Sequence, residues 1–130
     1  MTSNSISLSA ALSGSQEVPP VSSPATGTSN LTLDAANNLS YRLVVSGVDL
    51  GQARAGRPDT PNTNDDVTLF HIHNAGRGVN GPVVFDLLGD EDADDFKIEL
   101  NPGGSYTISG IWEPTDNSTV SINNFASAIR

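Results

Sequence analysis

Apolar and polar positions alternate along several short stretches of this chain, each bounded by turn-forming residues. Ile6, Leu8 and Ala10 recur at every second position within residues 6–12, the period of a half-buried strand. Glu17-Val18-Pro19-Pro20 then breaks pairing, since proline has no amide to donate, and Ser22-Ser23-Pro24 prolongs the break. Residues 27–33 and 39–46 read as two further strands, with Asp34-Ala35-Ala36-Asn37-Asn38 turning one into the other as a β-hairpin. Residues 47–64 hold Gly51, Gly56, Pro58 and Pro61 and read as a loop carrying a short helical turn. Beyond it come a strand over 67–73, a glycine-rich loop over 74–81, a strongly apolar strand over 82–88 and an acidic loop over 90–95. Residues 96–100 and 105–112 pair across the turn Asn101-Pro102-Gly103-Gly104. Residues 118–129 leave two readings open: an alternating strand at Val120 and Ile122, or a short helix over 123–129.

Six or seven short strands with turn signals between them predict an all-β fold, an antiparallel immunoglobulin-like or Greek-key β-sandwich. No repeat and no domain boundary interrupts residues 1–130, so one domain is expected, with residues 1–5 disordered. The abundance of Ser, Thr, Asn, Gly, Val and Ile supports strands and turns over helices.

Charge narrows the function. Fifteen acidic residues against six basic give a formal net charge of −9. Such a chain is repelled by phosphate backbones and anionic headgroups, which argues against nucleic acid or membrane-surface partners. No run of apolar residues is long enough to span a bilayer, and residues 1–5 carry no basic or apolar leader pattern, so no signal peptide is visible. The absence of cysteine removes disulfides, thiolate ligands and a cysteine nucleophile.

Both histidines fall in Thr68-Leu69-Phe70-His71-Ile72-His73-Asn74. On a strand, residues two apart share a face, and neutral imidazole suits copper and zinc. His71 and His73 are therefore the candidate metal ligands, with Asp65, Asp66, Asp86 or a second chain as sources of the remainder. The plainer alternative is a pair that packs and hydrogen-bonds on a sheet face.

The other candidates are weaker. Asp90, Asp92 and Asp94 match alternate positions of a calcium loop, but Asp95 stands where an EF-hand needs glycine and Asn101 where it needs glutamate. Calcium is not the expected ligand, and a solvated acidic loop is the simpler reading. Gly76-Arg77-Gly78-Val79-Asn80-Gly81 lacks the Lys-Ser/Thr of a phosphate loop and reads as a tight connection. Serine nucleophile motifs are missing, and Glu17 and Glu113 stand too far apart in sequence to be named a carboxylate pair. Phe85 and Trp112 read as core.

The order of motifs resembles one family. Gln16-Glu17-Val18-Pro19-Pro20, Ala25-Thr26-Gly27-Thr28, Leu39-Ser40-Tyr41, His71-Ile72-His73-Asn74 and Arg77-Gly78-Val79-Asn80-Gly81-Pro82-Val83-Val84-Phe85 together are similar to the CHRD domain, named for chordin and with many bacterial members. The resemblance implies a β-sandwich similar to copper–zinc superoxide dismutase, in which a similar His-x-His strand supplies metal ligands. Dismutase chemistry is not expected, because separate zinc ligands are not found. The resemblance also implies a secreted or cell-envelope location and a non-enzymatic binding module, with a protein or glycan as partner. The alternative is a copper or zinc protein built on His71 and His73, with redox activity. CHRD domains usually continue into a closing strand bearing another histidine. This sequence stops at Ala128-Ile129-Arg130, so that strand is expected to be missing. The open edge would invite homo-oligomer formation through strand pairing.

Overall fold

Leu39, Tyr41, Leu43 and Val45 are buried while Ser40, Arg42 and Ser46 are exposed, and this strict alternation makes residues 39–46 the centre of a sheet. The computed structural model describes residues 5–16, 19–67, 70–73, 78–87, 94–116 and 120–129. Within them lie strands β1 (Ile6–Ser13), β2 (Thr26–Leu33), β3 (Leu39–Ser46), β4 (His71–His73), β5 (Val83–Asp86), β6 (Lys97–Leu100) and β7 (Tyr106–Trp112), with helices α1 (Gly51–Ala55) and α2 (Ile122–Ile129). A five-stranded antiparallel sheet runs β1-β2-β3-β7-β6, and β4 and β5 form a second, two-stranded sheet.

The hairpins form where the turn chemistry demands them. Between β2 and β3 the Asp34 carboxylate accepts the amides of Ala36 and Asn38, each at 2.9 Å, and Asn37 takes a left-handed φ of 63°. Leu33 then pairs with Leu39. Between β6 and β7 the left-handed Gly103 and Gly104 close the turn, and Leu100 pairs with Tyr106.

The sheets meet through aromatic rings. Phe85 of β5 stacks on Trp112 of β7 with centroids 4.4 Å apart and meets Tyr41 of β3 edge-on at 6.1 Å. Trp112 also lies against Phe125 of α2 at 5.8 Å. The helical reading of the last segment prevails because Ile122 and Ala126, four residues apart, both enter the core. The Ser121 hydroxyl accepts the Asn123 amide at its start.

This covering is uneven. Ile6, Leu8, Ala10 and Leu12 of β1 continue the inner face of β2, as the alternation predicts. Yet five consecutive β1 residues, 7–11, are exposed. Phe85 of the second layer lies against Tyr41 of β3 and Trp112 of β7. The strand expected over 67–73 is shorter than its pattern: β4 holds three residues, and 68–69 lie outside the described residues, as do residues 1–4 of the segment expected to be disordered.

Candidate functional site

The strand period brings the two histidines together. Their ring centroids are 4.6 Å apart, with the planes at 71°. Opposite them on β5, His71 pairs with Asp86, Ile72 with Phe85 and His73 with Val83, so one extra residue bulges on β5. Because Phe85 is fully buried and Ile72 packs against the core, the histidine face is the outer one. His71 is half-buried and His73 exposed.

The His73 ring is fixed by a carbonyl. Nδ1 lies 2.7 Å from the Gly81 oxygen, and since a carbonyl only accepts, Nδ1 carries the proton. That leaves the Nε2 lone pair free, the arrangement in which a histidine binds a metal with its other nitrogen held by a backbone acceptor. Of the further ligands named from the sequence, Asp86 pairs with His71 across the strands, but among the described residues its carboxylate does not gather with the two imidazoles into a three-ligand group. Asp65 and Asp66 do not join the histidines. Their carboxylates gather with Asp49, ligand oxygens within 4.8 Å of one another.

Asp49 was not singled out by sequence, and it organises the longest loop. Its side chain is 2% exposed. Oδ1 accepts the amides of Gly51 at 2.7 Å and Asp59 at 3.0 Å, and Oδ2 accepts that of Thr60 at 2.7 Å. Burial would raise its pKa, but these amides outweigh it and hold the carboxyl at about 2. Tyr106 donates its hydroxyl to Asp59 Oδ2 at 2.6 Å and leans toward Asp49 Oδ1 at 3.3 Å. Burial and the Asp59 carboxylate both push the Tyr106 phenol up, so it stays a donor. Arg54 of α1 binds the other Asp59 oxygen at 2.6 Å. The Tyr106 and Arg54 hydrogen bonds hold the Asp59 carboxyl below its usual range.

The Asp49 backbone does as much. Its amide donates to the Asp65 carbonyl at 2.6 Å and its carbonyl accepts from Val67 at 2.9 Å. The loop is thereby clamped at the point where the chain turns toward β4. A signal was present: an Asp two residues before a Gly, inside a Gly/Pro-rich loop, is an Asx-turn pattern. The phenol that completes the network comes from 57 residues away, beyond the reach of local pattern.

A second acidic group lies at the other end of the β3–β7 pair. Asp94, Asp95 and Glu113 bring carboxylate oxygens within 4.8 Å. Asp95 accepts the Ile111 amide at 2.9 Å, and Asp116 accepts that of Glu113 at 2.7 Å. Burial, then the carboxylates of Asp95 and Asp94, raise the Glu113 pKa, and Asp116 is raised by burial and by Asp94 and Asp95. Glu113, too isolated in sequence to pair with Glu17, thus gains carboxylate neighbours from the loop before β6. Asp90 and Asp92 of the calcium-like pattern lie outside the described residues, as does Glu17. In the glycine-rich loop, Gly78 takes a φ of 78°, which supports the tight-connection reading.

Two antiparallel sheets joined by stacked aromatic rings, without barrel closure among the described residues, make this an all-β sandwich protein. The sequence profile of the CHRD domain matches residues 8–124, and the chain belongs to that family. No curated protein and no solved structure matches it.

Proposed function

We propose that this CHRD domain is a non-enzymatic binding module, working outside the cell or in its envelope, that engages a protein partner by strand addition at β1. The supporting observation is the edge itself: β1 pairs only with β2 among the described residues, and its residues 7–11 are exposed, with Leu8 at 37%. An open strand offers backbone donors and acceptors to any extended segment. Strand addition pairs backbone with backbone, which a glycan lacks, and this favours a protein partner. The location is what the family resemblance implies.

A labelled peptide with the β1 sequence, residues 6–13, serves as a generic uncharged strand. Fluorescence anisotropy should show saturable binding to the full chain, weakened by Ser9→Lys. Absence of binding at millimolar peptide would retire the edge reading.

A second reading has its own observation, the Gly81 carbonyl that leaves His73 Nε2 open beside His71. In it, copper or zinc is held by His71 and His73, with Asp86 paired to His71 across the strands. Calorimetry with copper(II) or zinc should give stoichiometric heats that vanish in the His71→Ala/His73→Ala double variant and weaken in acid, where protons compete for imidazole. Equal weak heats from both proteins would reject it.

A further inference from the structure

We infer that the partner at β1 is a second copy of this chain, added antiparallel across a two-fold axis so that the five-stranded sheet continues as ten strands. The inference rests on the edge-binding reading and gives that edge its occupant.

Three observations on the molecule lead there. First, among the described residues, β1 lacks the devices that keep edge strands apart: charged side chains, proline, a bulge or a cover. Residues 6–13 contain neither charge nor proline. Their register with β2 runs unbroken from Ile6 opposite Leu33 to Ser13 opposite Thr26. Residues 7–11 are exposed.

Second, the charge distribution selects this edge for self-association. The chain carries a net charge of −9, so two copies repel over most approaches. Of the 15 acidic residues only Glu17 precedes Asp34, and all six basic residues follow it. Neither β1 nor its neighbour β2 holds a charge. This uncharged pair of strands is where an acidic molecule meets its own copy at least electrostatic cost.

Third, β1 is complementary to itself. Ile6, Leu8, Ala10 and Leu12 lie on one face, and Ser7, Ser9, Ala11 and Ser13 on the other. A two-fold axis through an antiparallel pair sets the same surface against itself. With the axis at Ser9, apolar residues face apolar residues on one side, and serine faces serine or alanine on the other. The partly uncovered inner face of β1 then gains apolar neighbours from the second copy.

Sedimentation velocity on the full chain over a dilution series tests this. The expected result is a species of twice the chain mass that dissociates on dilution. Ser9→Lys, exposed and facing away from the core, should weaken it at least about tenfold, because the two lysines then oppose each other at the axis. Ser7→Lys, on the same face but opposite Ala11, should weaken it less. Ser40→Lys, exposed on the central strand β3, should leave it unchanged, and thermal melts confirm that each variant folds. A wild-type chain that stays monomeric at every concentration overturns the inference, as does an association indifferent to lysine at both β1 positions. If that monomer still binds the β1 peptide, strand addition stands and only the second copy falls. If it ignores the peptide, both fall.

Discussion

Asp49 and Glu113 are acidic side chains at opposite ends of the sandwich, and their surroundings drive them in opposite directions. Both lose solvent, which by itself favours the neutral form of each. Around Asp49 three backbone amides point inward, and the charge is held down to a pKa of about 2. Around Glu113 the neighbours are Asp94, Asp95 and Asp116, which resist its ionisation. The number of carboxylates gathered is the same in the two groups. What separates them is whether the remaining partners are N–H donors or further carboxylates. One group is a clamp that needs its charge; the other is a junction that would hold better without it.

The largest effect should come from Asp49→Ala. It leaves three amides without their acceptor in a buried site, and a loss of about 3–5 kcal/mol is expected in urea unfolding. A loss below about 1 kcal/mol would mean that the loop does not depend on the clamp. Gly51→Ala attacks the same cradle from the backbone, since its Cβ would clash with the Asp59 nitrogen and meet the Arg57 carbonyl at 2.6 Å. The loop must shift, at a cost of about 2–3 kcal/mol, read in the same way. Tyr106→Phe keeps the ring and removes only the hydroxyl that joins sheet to loop. About 1 kcal/mol is expected, together with faster amide exchange at Asp59 and Thr60.

Acid should separate the two groups by sign. Asp49 has a folded pKa below its ordinary 3.8, so its stabilisation is complete above that value and is lost as pH falls through about 2. Glu113 and Asp116 are raised above their ordinary 4.5 and 3.8, so their contribution is complete below those values and disappears as pH rises through the raised ones. Acidification from neutrality should therefore first stabilise the fold and then undo it. Fluorescence of the single tryptophan, buried Trp112, would follow both phases. The Asp49→Asn variant should lose the late, acid phase. The smallest expected effect is a gain: Glu113→Gln should raise the melting temperature slightly at pH 7 and abolish that gain at low pH. A fall at neutrality would show that Glu113 has a favourable partner there.

Local pattern alone determined a good deal. The alternation in residues 39–46, the Asp34–Asn38 turn and the Gly103-Gly104 turn are decided by neighbours one to four positions away, and strands formed where they predicted. His71 and His73 share a face because a strand has a period of two, a property of backbone geometry that needs no tertiary information. Membership of the CHRD family was likewise legible in the order of motifs.

Other features waited for the fold. The same alternation occurs in β1 and β3, yet β3 buries its inner face while β1 leaves Leu8 and Ala10 exposed, because burial depends on where Phe85 and the second layer come to rest. Residues 118–129 left a strand and a helix open, and the helix prevailed over 122–129 because Ile122 and Ala126 enter the core together, with Phe125 against Trp112. Asp49 meets Tyr106, Glu113 meets Asp95, and the Gly81 carbonyl meets His73 only once distant segments are brought together. Charge, tautomer and cover are set by what stands within a few ångströms in space, and separation along the chain does not encode that distance.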